Sequence, residues 1–361
     1  MTPSLLSLTP NLLVFLSDIL KARCPRLKSL FLSLPSTQIT SGGLLRFLRL
    51  TPSVTCYVFN IAWDFVMSDD IYVHLASRAS LERIGLPDRS LTTTAADRIL
   101  ASIVHPFEKL DSIQCTANND AFDQLIPHLT NLDDLWVSLL DRSDSVIFNL
   151  SKCANLTSLV ISMDSELPRC PPAALLAISR RCTSLWKFSI NIDSRLDNPP
   201  GRDGEFNDDF IQNFTSTLPK LEQIVFDIRE NSLTAECLRY LGRNCPRLVT
   251  TTMTSGLHLP DLGQSGPPAL PLLDHLELER LSLGTGSPDQ ELKDFVDTLY
   301  HHVPKLQILS TYSRQSFSRL IMEKLEALRK ERGTEQGSKD CLNLKRWRVS
   351  RRFSRLWEHA G

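Results

Sequence analysis

The chain has 361 residues and a mass of 40.7 kDa, longer than one ordinary compact core, which stops growing at about 250–300 residues. Hydrophobic residues at 42% and charged residues at 22% exclude wholesale disorder, and 40 Lys/Arg against 41 Asp/Glu remove the usual electrostatic case for a dedicated nucleic-acid binder. Two globular domains, a barrel, or a structure that grows along one axis remain.

The opening stretch MTPSLLSLTPNLLVFLSDIL is apolar enough to imitate a secretory signal. Its first base comes only at Lys21, however, Pro3 and Pro10 break it, and Asp18 lies inside it. It reads instead as the approach to a repeat. CPRLKSLFL from Cys24 returns in altered form as TPSVTCYVF, LTNLDDLWV, CANLTSLVI, CTSLWKFSI, LPKLEQIVF, CPRLVTTTM, LPLLDHLEL and VPKLQILST. Taken along the chain, the apolar anchors are Leu27, Val54, Leu81, Leu110, Leu132, Leu156, Leu185, Leu221, Leu248, Leu273, Leu306 and Leu344, spaced 22 to 38 residues apart.

Positions three and five after each anchor test the pattern independently. They read Leu30/Leu32, Tyr57/Phe59, Ile84/Leu86, Ile113/Cys115, Leu135/Val137, Leu159/Ile161, Phe188/Ile190, Ile224/Phe226, Thr251/Met253, Leu276/Leu278, Leu309/Thr311 and Trp347/Val349. Only Thr251 and Thr311 are not apolar. Alternation in a short strand sends these two residues into a core and the residues at +2, +4 and +6 to the opposite face. The returns between strands are helical in Ala95–Val104, Asp208–Leu218, Thr234–Asn244 and Gln290–Val303, where apolar residues recur at helical spacing. Proline two before the anchor (Pro25, Pro52, Pro219, Pro246, Pro271, Pro304) ends the helix and starts the extended segment. Gly256–Pro268 has no helical period and predicts an irregular, helix-free return; Arg195–Glu205 and Arg332–Asp340 predict surface loops.

One strand and one crossover return of this length, repeated in parallel, predict an α/β leucine-rich-repeat solenoid or horseshoe of about twelve irregular repeats over 1–361. Its strands would line a concave face, with helices or irregular returns on the convex one. Lys345–Gly361, KRWRVSRRFSRLWEHAG, predicts a basic-aromatic C-terminal cap. It belongs to a basic end, with 13 Lys/Arg and 6 Asp/Glu from Ser313 onward. The C-P-x-L-x-x-L-x-L start at Cys24 and Cys245, with cysteine three before the anchor at 24, 153, 182, 245 and 341, resembles the cysteine-containing leucine-rich repeats of fungal F-box proteins. The asparagine that this family carries eight after the anchor occurs only as Asn118, and no F-box is found in the chain. The resemblance implies the substrate-receptor portion of an F-box-type ubiquitin ligase, which would contact the ligase adaptor only if an F-box lies upstream. A free-standing scaffold without ligase recruitment stays open, as does binding of RNA or an acidic surface through the basic tail.

The residues hold no P-loop, no H-E-x-x-H and no metal-ligand cluster, so neither catalysis nor a cofactor or metal is expected. Gly263-Gln-Ser-Gly266 is one residue short of a nucleophile elbow, and Gly284–Gly286 reads as a turn. His301-His302 closes a helix, where a cation suits the dipole. The cysteines beside the anchors read as small buried hydrophobes, and Cys56, on an outward strand position, as the accessible thiol. Nine cysteines without a C-x-x-C pair point to a reducing compartment, cytoplasm or nucleus, and no apolar run reaches the length of a membrane span. The expected partner-binding residues on the concave face of this monomer are Asp134, Trp136, Val160, Lys187, Val225, Asp227, His275, Glu277 and Glu279. Trp136 is the leading anchor, and Asp227, Glu277 and Glu279 form an acidic end suited to a basic segment.

Overall fold

A computed structural model describes residues 16, 18–20, 23–34, 40–61, 67–86, 91–140, 144–163, 170–192, 206–228, 231–263, 265–281, 288–311 and 315–332. The repeat anchored at Leu344, the tail Lys345–Gly361, the Gly284–Gly286 turn and nearly all of both predicted loops lie outside these residues. The chain divides into two compact units, formed by the described residues of Met1–Leu156 and of Thr157–His359.

In the first unit, strands β1 (Ser29–Leu34), β2 (Cys56–Ile61), β3 (Arg83–Gly85), β4 (Ser112–Ala117) and β5 (Asp134–Leu139) pair in chain order, all parallel. Helices α1 (Ser41–Leu50), α2 (Asp69–Ala76), α3 (Thr93–Ser102), α4 (Asn119–Leu125) and α5 (Asp144–Leu150) supply the returns. The second unit has β6 (Ser158–Met163), α6 (Pro172–Arg181), β7 (Lys187–Ile192), a two-residue β8 (Phe206–Asn207), α7 (Asp208–Thr215) and β9 (Gln223–Ile228). After these come β10 (Asn231–Ser232), α8 (Glu236–Asn244), β11 (Thr250–Leu257), β12 (His275–Leu281), α9 (Pro288–His302), β13 (Ile308–Thr311) and α10 (Gln315–Glu331). Its main strands run in the order β6-β7-β9-β11-β12-β13, again all parallel, while β8 and β10 form a separate parallel pair.

The register follows the anchor pattern. Leu30, Tyr57, Ile84, Ile113 and Leu135 pair across the first unit. Leu159, Phe188, Ile224, Thr251, Leu276 and Leu309 do so across the second. The residues two further on, from Ile161 through Ile190, Phe226 and Met253 to Leu278, form the next buried row. Thr251, one of the two exceptions to the apolar pattern, is buried all the same, so position and not side-chain polarity decides which way it faces. Five phenylalanines (Phe188, Phe206, Phe210, Phe214, Phe226) meet ring to ring at 4.8–5.8 Å beneath β7 and β9 and make the bulkiest part of this core.

Each strand is entered by the same turn. The anchor N–H donates to the carbonyl three residues earlier in all eleven described repeats, at 3.0–3.3 Å, from Leu27 to Cys24 through to Leu306 to Val303. Each of the six prolines noted above lies in this turn, where a missing N–H costs nothing. The next two N–H groups share one carbonyl of the preceding repeat; for example, Glu82 and Arg83 both donate to Thr55, at 2.8 and 3.1 Å. Turn and shared carbonyl together set the register before the ladder begins. Parallel strands in repeat-for-repeat register, each followed by its own return, make each unit a stretch of α/β leucine-rich-repeat solenoid.

The returns differ from expectation in detail. Asn118 caps α4: its Oδ1 accepts from the N–H groups of Asp120 and Ala121 at 3.0 and 3.3 Å. Thr92 and Asn207 cap α3 and α7 in the same way, so α3 starts at Thr93. Helix α8 starts at Glu236 and not at Thr234, because Thr234 is held by Asp208 and itself accepts from the Glu236 N–H. The return after β11 contains a single 3-10 turn, Leu259–Leu262, and no α-helix among its described residues. Among the described residues no helix is long and apolar enough to cross a membrane.

Three of the cysteines beside the anchors, Cys153, Cys182 and Cys245, are buried as expected, whereas Cys24 is exposed. Cys24 enters the first described repeat, with no earlier described repeat to cover it. Burial pushes the Cys153 thiol up to about 11 and those of Cys115 and Cys245 up to about 12. Among the described cysteines, therefore, a maleimide should modify Cys24 first and Cys56 second in the native chain. Cys115, Cys153 and Cys245 should react only after denaturant is added, as peptide mass mapping would read directly.

Candidate partner-binding face

The outward strand positions form rows, because equivalent residues of neighbouring parallel strands lie about 4.8 Å apart. In the second unit the first row is Ser158, Lys187, Gln223, Thr250, His275 and Ile308. The next is Val160, Ser189, Val225, Thr252, Glu277 and Ser310. Val160 and Val225 thus share a row with Ser189 between them, and all three are half-buried. Lys187 and Asp227 are also half-buried. Glu277 Oε2 accepts from Thr252 Oγ1 at 3.2 Å, which fixes that carboxylate in place. Of Glu279 only the backbone is described.

His275 departs from expectation. It occupies an outward position yet is only 7% exposed, flanked in register by Thr250 and Ile308. It is part of the packed sheet surface and is removed from the accessible set. Ser158, in the same row, is likewise buried. Lys187 and Gln223 of this row are half-buried, so burial at the strand entrance varies from strand to strand.

In the first unit the row through Trp136 runs Phe31, Val58, Gly85, Gln114, Trp136. Trp136 is half-buried and Phe31 is 56% exposed, the more exposed of the two aromatic ends of this row. Phe31 was missed as a site residue, although the same count from its anchor, Leu27, points to it. Beside the row, the strand entrances of β3, β4 and β5 carry Glu82, Arg83, Asp111, Asp133 and Asp134. Glu82 accepts from Thr55 Oγ1 and Asp134 from Ser112 Oγ, both at 3.2 Å, and Arg83 pairs with Asp111 at 3.4 Å. Burial, opposed by Arg83 and reinforced by the neighbouring Glu82 and Asp133, raises the Asp111 carboxyl above the usual carboxylate range.

Among the described residues no group of three or more His, Cys, Asp or Glu is placed to hold a metal ion. The His301-His302 pair has a role that the sequence reading did not assign. His301 Nε2 lies 2.8 Å from the Gly266 carbonyl and His302 Nε2 2.8 Å from that of Gly263, while Arg239 of α8 donates to the Leu262 carbonyl. Gly263 and Gly266 have φ of 64° and 91°, so the irregular return needs glycine at both places, and side chains from α8 and α9 tie it down. Burial lowers the His302 pKa, which favours the neutral ring with its Nε2–H donating to the loop over the expected helix-closing cation.

No family model matches the chain. No curated protein matches it either. Similar solved structures include a chain of the yeast Rad7 and Elc1 complex, 15% identical over 84% of this chain and 83% of that one, with a TM-score of 0.48. The leucine-rich-repeat protein LegL7 of Legionella pneumophila is 16% identical over 83% and 90% of the two chains, with a TM-score of 0.40. TLR13 in its complex with ssRNA13 is 14% identical over 79% of this chain and 39% of that one, with a TM-score of 0.36. The leucine-rich-repeat fold of the present chain is established by its own strand order and register.

The neutral His302 has a consequence for stability. Its folded pKa lies below the ordinary value of 6.5, as does that of His74, lowered by burial and then by the nearby Arg78 charge. Between the folded and unfolded values the unfolded chain binds more protons, so their contribution is full above pH 6.5 and is lost as pH falls through the folded values. Melting is therefore expected at lower temperature at about pH 5.5 than at about pH 7.5. The difference should be smaller in His302→Gln, which keeps a donor for Gly263 without titrating; equal pH slopes in the two proteins would contradict this assignment.

Proposed function

We propose that the chain is a non-enzymatic protein-recognition module whose partner lies on the outward sheet face, and, extending the family resemblance, that it is the substrate-receptor portion of an F-box-type ubiquitin ligase. The observation that carries the first part is the outward face itself. In the second unit half-buried Val160 and Val225 share a row with Glu277, and half-buried Lys187 and Asp227 stand on the same face. In the first unit half-buried Trp136 stands in its own row, and in each unit the other face of the strands is packed. Rigid strands present these groups with little entropy left to lose on binding, which favours macromolecular recognition. The second part is supported by the C-P-x-L-x-x-L-x-L starts at Cys24 and Cys245.

Affinity purification with mass spectrometry, on the chain expressed together with all coding sequence upstream of Met1, tests both parts. A specific partner lost on Trp136→Ala or on Val160→Asp, together with a ligase adaptor, is the expected result. A partner without adaptor removes the ligase role and leaves a scaffold. Partners insensitive to every outward substitution would overturn recognition through this face.

A further inference from the structure

The Phe31–Trp136 row of the first unit is the most exposed aromatic feature of the described sheet surface, and its composition restricts what can cover it. The five residues span four strand spacings, about 19 Å. Phe31 and Val58 form one apolar shoulder and Trp136 the other. Gly85, between Val58 and Gln114, leaves the row without a side chain at its middle. A Cβ added there would lie 3.2 Å from Val58 Cγ1, so the dip is already bounded by its neighbour. The row is thus a shallow trough with an aromatic at each end, wide enough for an extended segment of about six residues crossing the strands.

Charge then selects the segment. Along the strand entrances of β1 to β5 stand four carboxylates, Glu82, Asp111, Asp133 and Asp134, against two cations, Lys28 and Arg83, the latter paired with Asp111. Two of these carboxylates are held from the preceding repeat by Thr55 and Ser112, which orients them before any partner arrives. Fixed acceptors beside an apolar trough favour ammonium or guanidinium groups flanking an apolar side chain. The same carboxylates repel a phosphate backbone, so a nucleic acid does not suit this face.

We infer that the trough from Phe31 to Trp136 receives an extended basic peptide segment of a partner protein, its apolar side chain seated over Gly85 and its Lys or Arg side chains paired with the carboxylates at the strand entrances. This rests on the recognition role proposed above and names the partner's chemistry. Aromatic anchors of this kind carry a large share of binding at protein interfaces, while the flanking charges set specificity and salt dependence.

The test is a selection of displayed random twelve-residue peptides on the full chain, followed by fluorescence anisotropy with the selected peptides made synthetically. Enrichment of Lys and Arg around an aliphatic or aromatic residue is expected. Phe31→Ser and Trp136→Ala should each weaken these peptides by about tenfold or more. Asp134→Asn should weaken them severalfold and flatten the loss of affinity with added salt, whereas Glu323→Gln on helix α10, away from the sheet face, should change nothing. Gly85→Leu, which fills the dip, should abolish binding, with unchanged circular dichroism and melting temperature showing that the fold persists; if that variant unfolds, Phe31→Ser and Trp136→Ala decide. Acidic or neutral winners, or winners sensitive to Val160 and Glu277 but indifferent to Phe31 and Trp136, would overturn the inference while leaving recognition intact. A library that yields no binder to either unit removes the recognition role as well.

Discussion

Replacing Arg78 by methionine is expected to destabilise the first unit by about 3–5 kcal/mol, read as a fall in the urea midpoint without change in slope. Arg78 holds the position three before its anchor, where four other described repeats carry cysteine, and it is only 9% exposed. Among the described residues no carboxylate pairs with it. Its Nη1 donates to the Leu48 carbonyl at 3.2 Å and the Tyr57 hydroxyl at 2.8 Å. Its Nη2 donates to the carbonyls of Thr51, Pro52 and Val54 at 3.1, 2.9 and 2.7 Å. The guanidinium also lies 5.1 Å from the centre of the Tyr57 ring. One side chain thus satisfies the end of α1 and the turn into β2 together. Methionine fills similar volume but takes the guanidinium donor from the carbonyls of Pro52 and Val54, while those of Leu48 and Thr51 keep their Thr51 and Val54 N–H donors; this, not lost packing, is the source of the cost. Arg78→Lys should recover only part of the loss, since an ammonium cannot spread over five acceptors as the planar fork does. Equal stability of Arg78→Met and the natural chain would show that water replaces the guanidinium at these carbonyls.

Gly242→Ala is the second large effect: a loss of about 3 kcal/mol or more, enough to prevent folding of a marginal unit. Glycine inside a helix ordinarily costs stability relative to alanine, by about 1 kcal/mol, so helix propensity alone forecasts a gain. The structure reverses the sign. A Cβ at 242 would stand 1.5 Å from the Ala269 carbonyl oxygen and 2.6 Å from its carbon, both backbone atoms of the irregular return that cannot rotate aside. Either α8 or the 259–270 segment would have to move, and with it the contacts from Arg239, His301 and His302 that hold that segment. Thermal melting of Gly242→Ala beside Gly42→Ala makes the comparison internal, because Gly42 in α1 has nothing within 4 Å of an added Cβ. A stabilised Gly242→Ala would mean that the return packs elsewhere.

The recurring resemblance of CPRLKSLFL, CANLTSLVI and LPKLEQIVF carried the strand positions, the inward pairs and the parallel register, since each is a local consequence of alternation and of the anchor turn. Asn118 was visible as the one place where the asparagine eight after the anchor occurs, and its capping of α4 explains why that residue type stands there. The outward rows were legible as positions but not as surfaces. Equivalent places four after the anchor hold Thr252, 7% exposed, and Phe31, 56% exposed.

What the sequence determined by itself is therefore the repeat: which residues turn inward, where each strand begins and which neighbour it pairs with, because these depend on short-range geometry repeated many times over. What only the tertiary structure decided are the contacts made between repeats by residues that break the pattern. Arg78 reaches back 24 to 30 residues to its carbonyls, Gly242 makes room for a backbone 27 residues later, and His302 ties a glycine 39 residues earlier. Such partners are set by how the returns pack on one another, and the returns, unlike the strands, vary in length and form from one repeat to the next.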